Sequence, residues 1–187
     1  AYAAGDLSDA HIFVRQMDGG RPIEVAPDVP GPQRLPYWSP DGAALVFGSP
    51  YASSSKGIRI LDLKTRALST LPDSQDLFSP RWSPDGRYIA AVRWNSQSPL
   101  LFDRNKLKWS EIGQGRNVSF PRFNGTNQSP AWSSDGKTLA FSSSWTGRSD
   151  LYSIDSGGGT PRRLTNDKGP DVSPTWNPKT NAQIAFV

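Results

Sequence analysis

The chain has 187 residues, of which 35% are hydrophobic and 20% charged, with a formal net charge of +4. No stretch approaches the ~20 apolar residues of a membrane-spanning helix, and the absence of cysteine removes disulfides, thiol nucleophiles and zinc–thiolate sites. A single histidine, His11, leaves little room for imidazole catalysis or metal chemistry, and the scattered basic residues, densest at 104–108 and 162–163, read as a solvated surface and not a nucleic-acid stripe.

A chain of this length can bury roughly 70% of its unfolded surface, so a sizeable core is expected. Seventeen Gly, seventeen Pro and many aromatics favour short strands joined by tight turns. The leading Ala-Tyr-Ala-Ala lacks both Met and a charged-then-apolar leader, as in a mature chain or a fragment.

Taken in order, the chain repeats. Residues 11–18 and 22–25 read as two strands, joined through Gly19-Gly20. Then comes Pro36-Tyr-Trp38-Ser-Pro-Asp41-Gly42, followed by an apolar strand at 44–47, a strand ending in Asp at 58–62 and a further strand at 67–71. The pattern returns at Pro80-Arg81-Trp82-Ser-Pro-Asp85-Gly86, with strands at 88–92, 100–103 and 107–112. It returns again at Pro130-Ala-Trp132-Ser-Ser-Asp135-Gly136, with strands at 138–141, 151–155 and 161–164. A decayed copy, Pro174-Thr-Trp176-Asn-Pro-Lys-Thr180, is followed by a strand at 183–187.

The Trp spacings are 44, 50 and 44, and 49 positions lead from Trp176 round to Trp38. Four strands per 44–50 residues predict an all-β protein, a β-propeller with four four-stranded blades. The blades are expected at 27–71, 72–112, 113–164, and 165–187 completed by 1–26, within one propeller unit spanning 1–187. The two termini then share a blade, with 183–187 pairing beside 11–16, and the chain has about sixteen strands and no helix. Closure is expected as a two-chain, eight-bladed ring, with a four-bladed monomer as its rival.

In Ser-Pro-Asp-Gly, Pro presets the first turn residue, Asp suits the next and Gly accepts positive φ. Asp41, Asp85 and Asp135 recur in register, which assigns them to turns and not to a catalytic pair. Trp38, Trp82, Trp132 and Trp176 are expected to pack between sheets.

The repeat Trp-Ser-Pro-Asp-Gly followed by a Leu-Ala-Phe-like strand resembles the TolB-type, or PD40, β-propeller family across about residues 11–187. The likeness to TolB is strongest in 115–187, through 127–141 and Arg162-Arg163-Leu-Thr-Asn-Asp-Lys-Gly-Pro-Asp171-Val-Ser-Pro-Thr-Trp176. Residues 1–112 are more similar to PD40 propellers of bacterial regulators and kinases. That change of flavour near 113–115 makes an engineered or excised chimera, studied for folding and assembly and without an evolved ligand, the alternative.

The resemblance implies a non-enzymatic, periplasmic scaffold without cofactor or metal, which binds a protein or peptide such as an envelope lipoprotein at the channel mouth. It implies neither nucleic-acid binding nor membrane insertion. The candidate partner-binding residues lie in the connections that enter each Trp strand: Arg34, Phe78, Arg81, Arg116, Phe120, Arg122, Phe123 and Asp171. Asp171 alone would be a weak start for a hard-cation site, because the other repeats lack an acid there.

Overall fold

The computed structural model describes residues 1–6, 9–48, 57–93, 99–112, 130–143 and 148–187. Among these residues every regular element is a strand, seventeen in all. The chain divides into two compact units, Ala1–Pro80 and Arg81–Val187.

In the first unit, β1 (Tyr2–Ala4), β2 (His11–Val14) and β3 (Ile23–Glu24) form one antiparallel sheet in that order. A second sheet follows in the order β4 (Tyr37–Trp38), β5 (Ala44–Phe47), β6 (Arg59–Asp62) and β7 (Leu68–Thr70). The alternation expected of half-buried strands sends Ile12, Leu45, Phe47 and Leu61 into a common core with Val25 and Ala26.

β8 (Leu77–Trp82) crosses the boundary and joins β9 (Tyr88–Arg93), β10 (Pro99–Asp103) and β11 (Lys108–Glu111). β12 (Ala131–Trp132), β13 (Thr138–Ser143), β14 (Asp150–Asp155) and β15 (Arg162–Arg163) repeat that order. β16 (Thr175–Trp176) and β17 (Ile184–Ala185) form a two-stranded sheet. In the second unit, Ala90, Leu101 and Ile112 of one sheet pack against Trp132, Leu139, Phe141, Tyr152 and Ile154 of the next. Removing these apolar faces from water is the main favourable term, at about 25 cal/mol per Å² buried.

The meander order confirms the four-strand repeat and the all-β propeller class. One expectation is corrected. Residues 11–16 were assigned 183–187 as neighbour, but β2 carries β3 on one edge and β1 on the other, with Ala4 opposite His11 and Tyr2 opposite Phe13. A short reversal back to β2 costs less chain entropy than bringing the two ends together. β1 stands where β5, β9 and β13 stand in their sheets, and β17 is also of that type, so the second strand of the repeat occurs five times. The eight-bladed ring and its four-bladed rival both relied on pairing at the chain ends, and neither closure gains support from this arrangement.

Candidate functional site

The two ends of each sheet differ in chemistry. At one end lie the Ser-Pro-Asp-Gly turns. Gly42, Gly86 and Gly136 have φ of 70°, 73° and 68°, the left-handed conformation only glycine adopts without strain. Their N–H groups donate to Ser39, Ser83 and Ser133 carbonyls at 3.0, 2.9 and 2.9 Å.

Each Ser hydroxyl meets the Asp Oδ1 two residues on, at 2.6, 2.6 and 2.7 Å. The same Oδ1 accepts the N–H of Ala43, Arg87 or Lys137. The Ser Oγ in turn accepts the N–H of Ala44, Tyr88 or Thr138. Asp41, Asp85 and Asp135 are therefore consumed by the turn. In the decayed copy Asn177 takes over, its Oδ1 accepting the Lys179 N–H at 3.0 Å.

The Trp side chains do more than fill space. Trp132 donates its indole N–H to the Arg81 carbonyl, and Trp176 donates to the Ala131 carbonyl. Trp82 donates to Gly86 within its own turn. Trp82 and Trp132 are buried, Trp176 is half-buried and Trp38 is exposed.

The other end of each sheet carries the connections expected to bind a partner. Arg34 lies half-buried in its connection and donates to the Asp6 carbonyl at 3.3 Å. Phe78 and Arg81 were expected in a connection but lie inside β8, both half-buried. The chain turns within residues 72–76, with positive φ at Asp73 and Asp76, so the strand begins early. Arg116, Phe120, Arg122 and Phe123 lie outside the described residues. Asp171 is buried in the connection before β16, and its N–H donates to the Ser149 carbonyl at 2.7 Å.

Sequence reasoning missed how this end is organised. Ile12, Ile58 and Leu151 hold one repeat position, since their carbonyls accept the N–H of Val25, Leu71 and Leu164. Their own N–H groups are capped by three different side chains: Gln33 Oε1, Ser74 Oγ and Thr165 Oγ1. In the sheet of β8–β11 the position is Pro99, which has no N–H to satisfy.

The charges at this end are held by specific partners. Arg59, 4% exposed, donates to Pro30 and Pro32 carbonyls at 3.0 and 3.1 Å and stacks over Phe47. Burial without a carboxylate lowers its pKa from the ordinary arginine value. Asp150, fully buried, takes Arg163 at 2.6 Å and Arg148 at 3.2 Å. His11 stands between Asp9 and Glu24, and its pKa is raised, first by the hydrogen bond to Asp9. No group of three or more His, Cys, Asp or Glu side chains among the described residues could hold a metal ion.

This architecture has clear relatives. Residues 69–187 match the PD40 family, the TolB beta propeller domain. The chain belongs to the PD40 TolB β-propeller family. That stretch crosses residues 113–115 within one family, so an engineered junction there gains no support.

A Protein TolB homolog of Chlorobium chlorochromatii is 32% identical over 78% of this chain and 32% of its own length. A Tol-Pal system protein TolB of Anaeromyxobacter dehalogenans is 31% identical over 70% of this chain and 30% of its own. The chain thus spans about a third of the length of these relatives. TolB from Acinetobacter baumannii superposes with a TM-score of 0.74 at 23% identity, over 95% of this chain and 43% of that one. An oligogalacturonate lyase from Vibrio parahaemolyticus shares the fold, with a TM-score of 0.61 at 18% identity over 80% of this chain and 43% of that one, so the architecture alone does not decide between binding and catalysis. No helix among the described residues is long and apolar enough to cross a membrane.

Proposed function

We propose that this propeller is a non-enzymatic scaffold that binds a protein or peptide at the end where connections enter the Trp strands. Membership of the PD40 TolB family carries the proposal. The difference between the two ends supports it. At the turn end the repeated carboxylates are consumed by backbone N–H groups, whereas the connections at the other end vary from repeat to repeat on a rigid scaffold. The partner class is an envelope lipoprotein of the peptidoglycan-associated kind, in keeping with the Tol-Pal system named for the relatives, and the compartment is the periplasm.

The test is capture on a surface carrying this chain. The soluble domain of a peptidoglycan-associated lipoprotein should bind saturably, and a DNA duplex should not be retained at physiological salt. No saturable binding of that domain at micromolar concentration overturns the proposal, as does retention of DNA in its place.

A further inference from the structure

Asp171 is a buried carboxylate that the fold leaves incompletely used. It follows five exposed residues, 166–170, yet is itself only 6% exposed. Its backbone is anchored to Ser149, but its Oδ2 has no hydrogen-bond partner among the described residues. Leaving a desolvated carboxylate oxygen without a donor is costly, so such an atom calls for an explanation. The guanidiniums of Arg148 and Arg163 are both engaged by Asp150.

Gln33 shows what a purely structural side chain does in this slot. It too lies five residues before a repeat Trp, and its N–H donates to the Ala10 carbonyl as Asp171 donates to Ser149. Gln33 is fully buried and satisfied: it accepts from Ile12 N–H and donates to the carbonyls of Ala26 and Val29. Asp171 is one methylene shorter and has no amide donors. The N–H equivalent to that of Ile12, on Leu151, is already held by Thr165. The slot therefore exists for structural reasons, while the carboxylate in it holds a buried acceptor oxygen that calls for a donor.

We propose that Asp171 is a subsite for an arginine side chain of the partner. This rests on the protein-binding role proposed for this end of the sheets. A guanidinium suits the site because its planar fork offers five donors and sheds water more readily than an ammonium does. A hard cation seeks six to eight oxygens, many more than one carboxylate supplies.

The test is a carbon-13 NMR titration of the aspartate carboxyls with blocked arginine (N-acetyl-arginine methylamide). Blocked citrulline, blocked lysine and calcium chloride serve as comparators. The Asp171 signal should shift saturably with blocked arginine in the millimolar range, at least tenfold more tightly than with citrulline and more tightly than with lysine. Asp171→Asn identifies the signal by its loss, and no remaining aspartate signal should respond to blocked arginine in that variant. Asp171→Gln should likewise leave no responsive signal while raising Tm, since its amide brings donors like those with which Gln33 meets backbone carbonyls.

No saturable shift, an equal response to citrulline, or saturation by calcium at micromolar concentration overturns the assignment. A fall in Tm for Asp171→Asn also overturns it, because the fold would then be using the carboxylate. The titration is read on the wild-type chain, so it stands even where a variant fails to fold. It needs no lipoprotein, so its failure is distinguishable from a failure of capture.

Discussion

The indole N–H of Trp176 donates to the carbonyl of Ala131 at 3.0 Å, and Ala131 is the residue before Trp132. Trp132 makes the same reach, at 3.1 Å, to Arg81, the residue before Trp82. Each bond ties the first strand of one sheet to the first strand of the preceding sheet. Trp132 and Trp176 thus latch neighbouring sheets, in addition to the area they bury, whereas Trp82 bonds within its own turn.

Phenylalanine keeps most of that area and removes the latch. Trp132→Phe should destabilise the chain by about 1–3 kcal/mol, because it leaves a carbonyl in a buried setting without its donor. Trp176→Phe, in a half-buried position, should cost about 1 kcal/mol. Urea unfolding monitored by far-UV circular dichroism measures both, and unchanged midpoints would remove the latch from the account.

The caps on Ile12, Ile58 and Leu151 make a second expectation. Ser74 Oγ accepts from Ile58 N–H at 2.9 Å and donates to the Leu71 carbonyl at 2.6 Å, with both groups buried. Ser74→Ala should therefore cost about 2 kcal/mol, and Gly57→Ala should be worse than neutral, since Gly57 has φ of 76° and a methyl there would meet Ser74. Thermal melts of the two variants check this, with an unchanged Tm for Ser74→Ala as the contrary result.

Arg59 holds the connection that carries Arg34 through two proline carbonyls and the face of Phe47. Arg59→Ala should cost about 3 kcal/mol, the range for hydrogen bonds to a charged group. Arg59→Lys should recover only part of this, because a point charge cannot fork to two carbonyls. Equal stability of the Lys variant and the parent in denaturant titrations would contradict that role.

The Ser-Asp turn predicts a pH dependence. The hydroxyl of Ser133, and then the Lys137 N–H, hold Asp135 below the ordinary carboxylate value. The folded form therefore binds this proton less readily than the unfolded chain does. The stabilisation is complete above the unfolded value, about 3.9, and is lost as pH falls from there through the lower folded value. Carboxyl NMR should place Asp135 below a free aspartate, and Ser133→Ala should move it upward. No movement in Ser133→Ala would mean that the hydroxyl is not the cause.

Much of this fold was legible in the chain because the turn chemistry is local. Pro, Asp and Gly each fix a backbone angle or a nearby N–H, so the turns and the apolar strand after each one follow directly. β5 runs over residues 44–47 as expected. What escaped depends on partners distant in sequence. Gln33, Ser74 and Thr165 cap one backbone position with unlike side chains, which no repeat pattern displays. β1 escaped because Tyr2-Ala-Ala is a weak apolar run, although its spacing before His11 echoes that of β13 before Asp150. Among the candidate site residues, Phe78 and Arg81 moved into a strand because the turn before them is shorter than the sequence suggests.

The claim that most needs a direct measurement is that a partner sits at the connection end and not at the turn end. Hydrogen–deuterium exchange, read by mass spectrometry with and without the soluble domain of a peptidoglycan-associated lipoprotein, reports on both ends in one experiment. Binding should slow exchange in residues 27–36 and 165–174 and leave the turns at 39–42, 83–86 and 133–136 unchanged. Protection of those turns, with the two connections unaffected, would contradict the account.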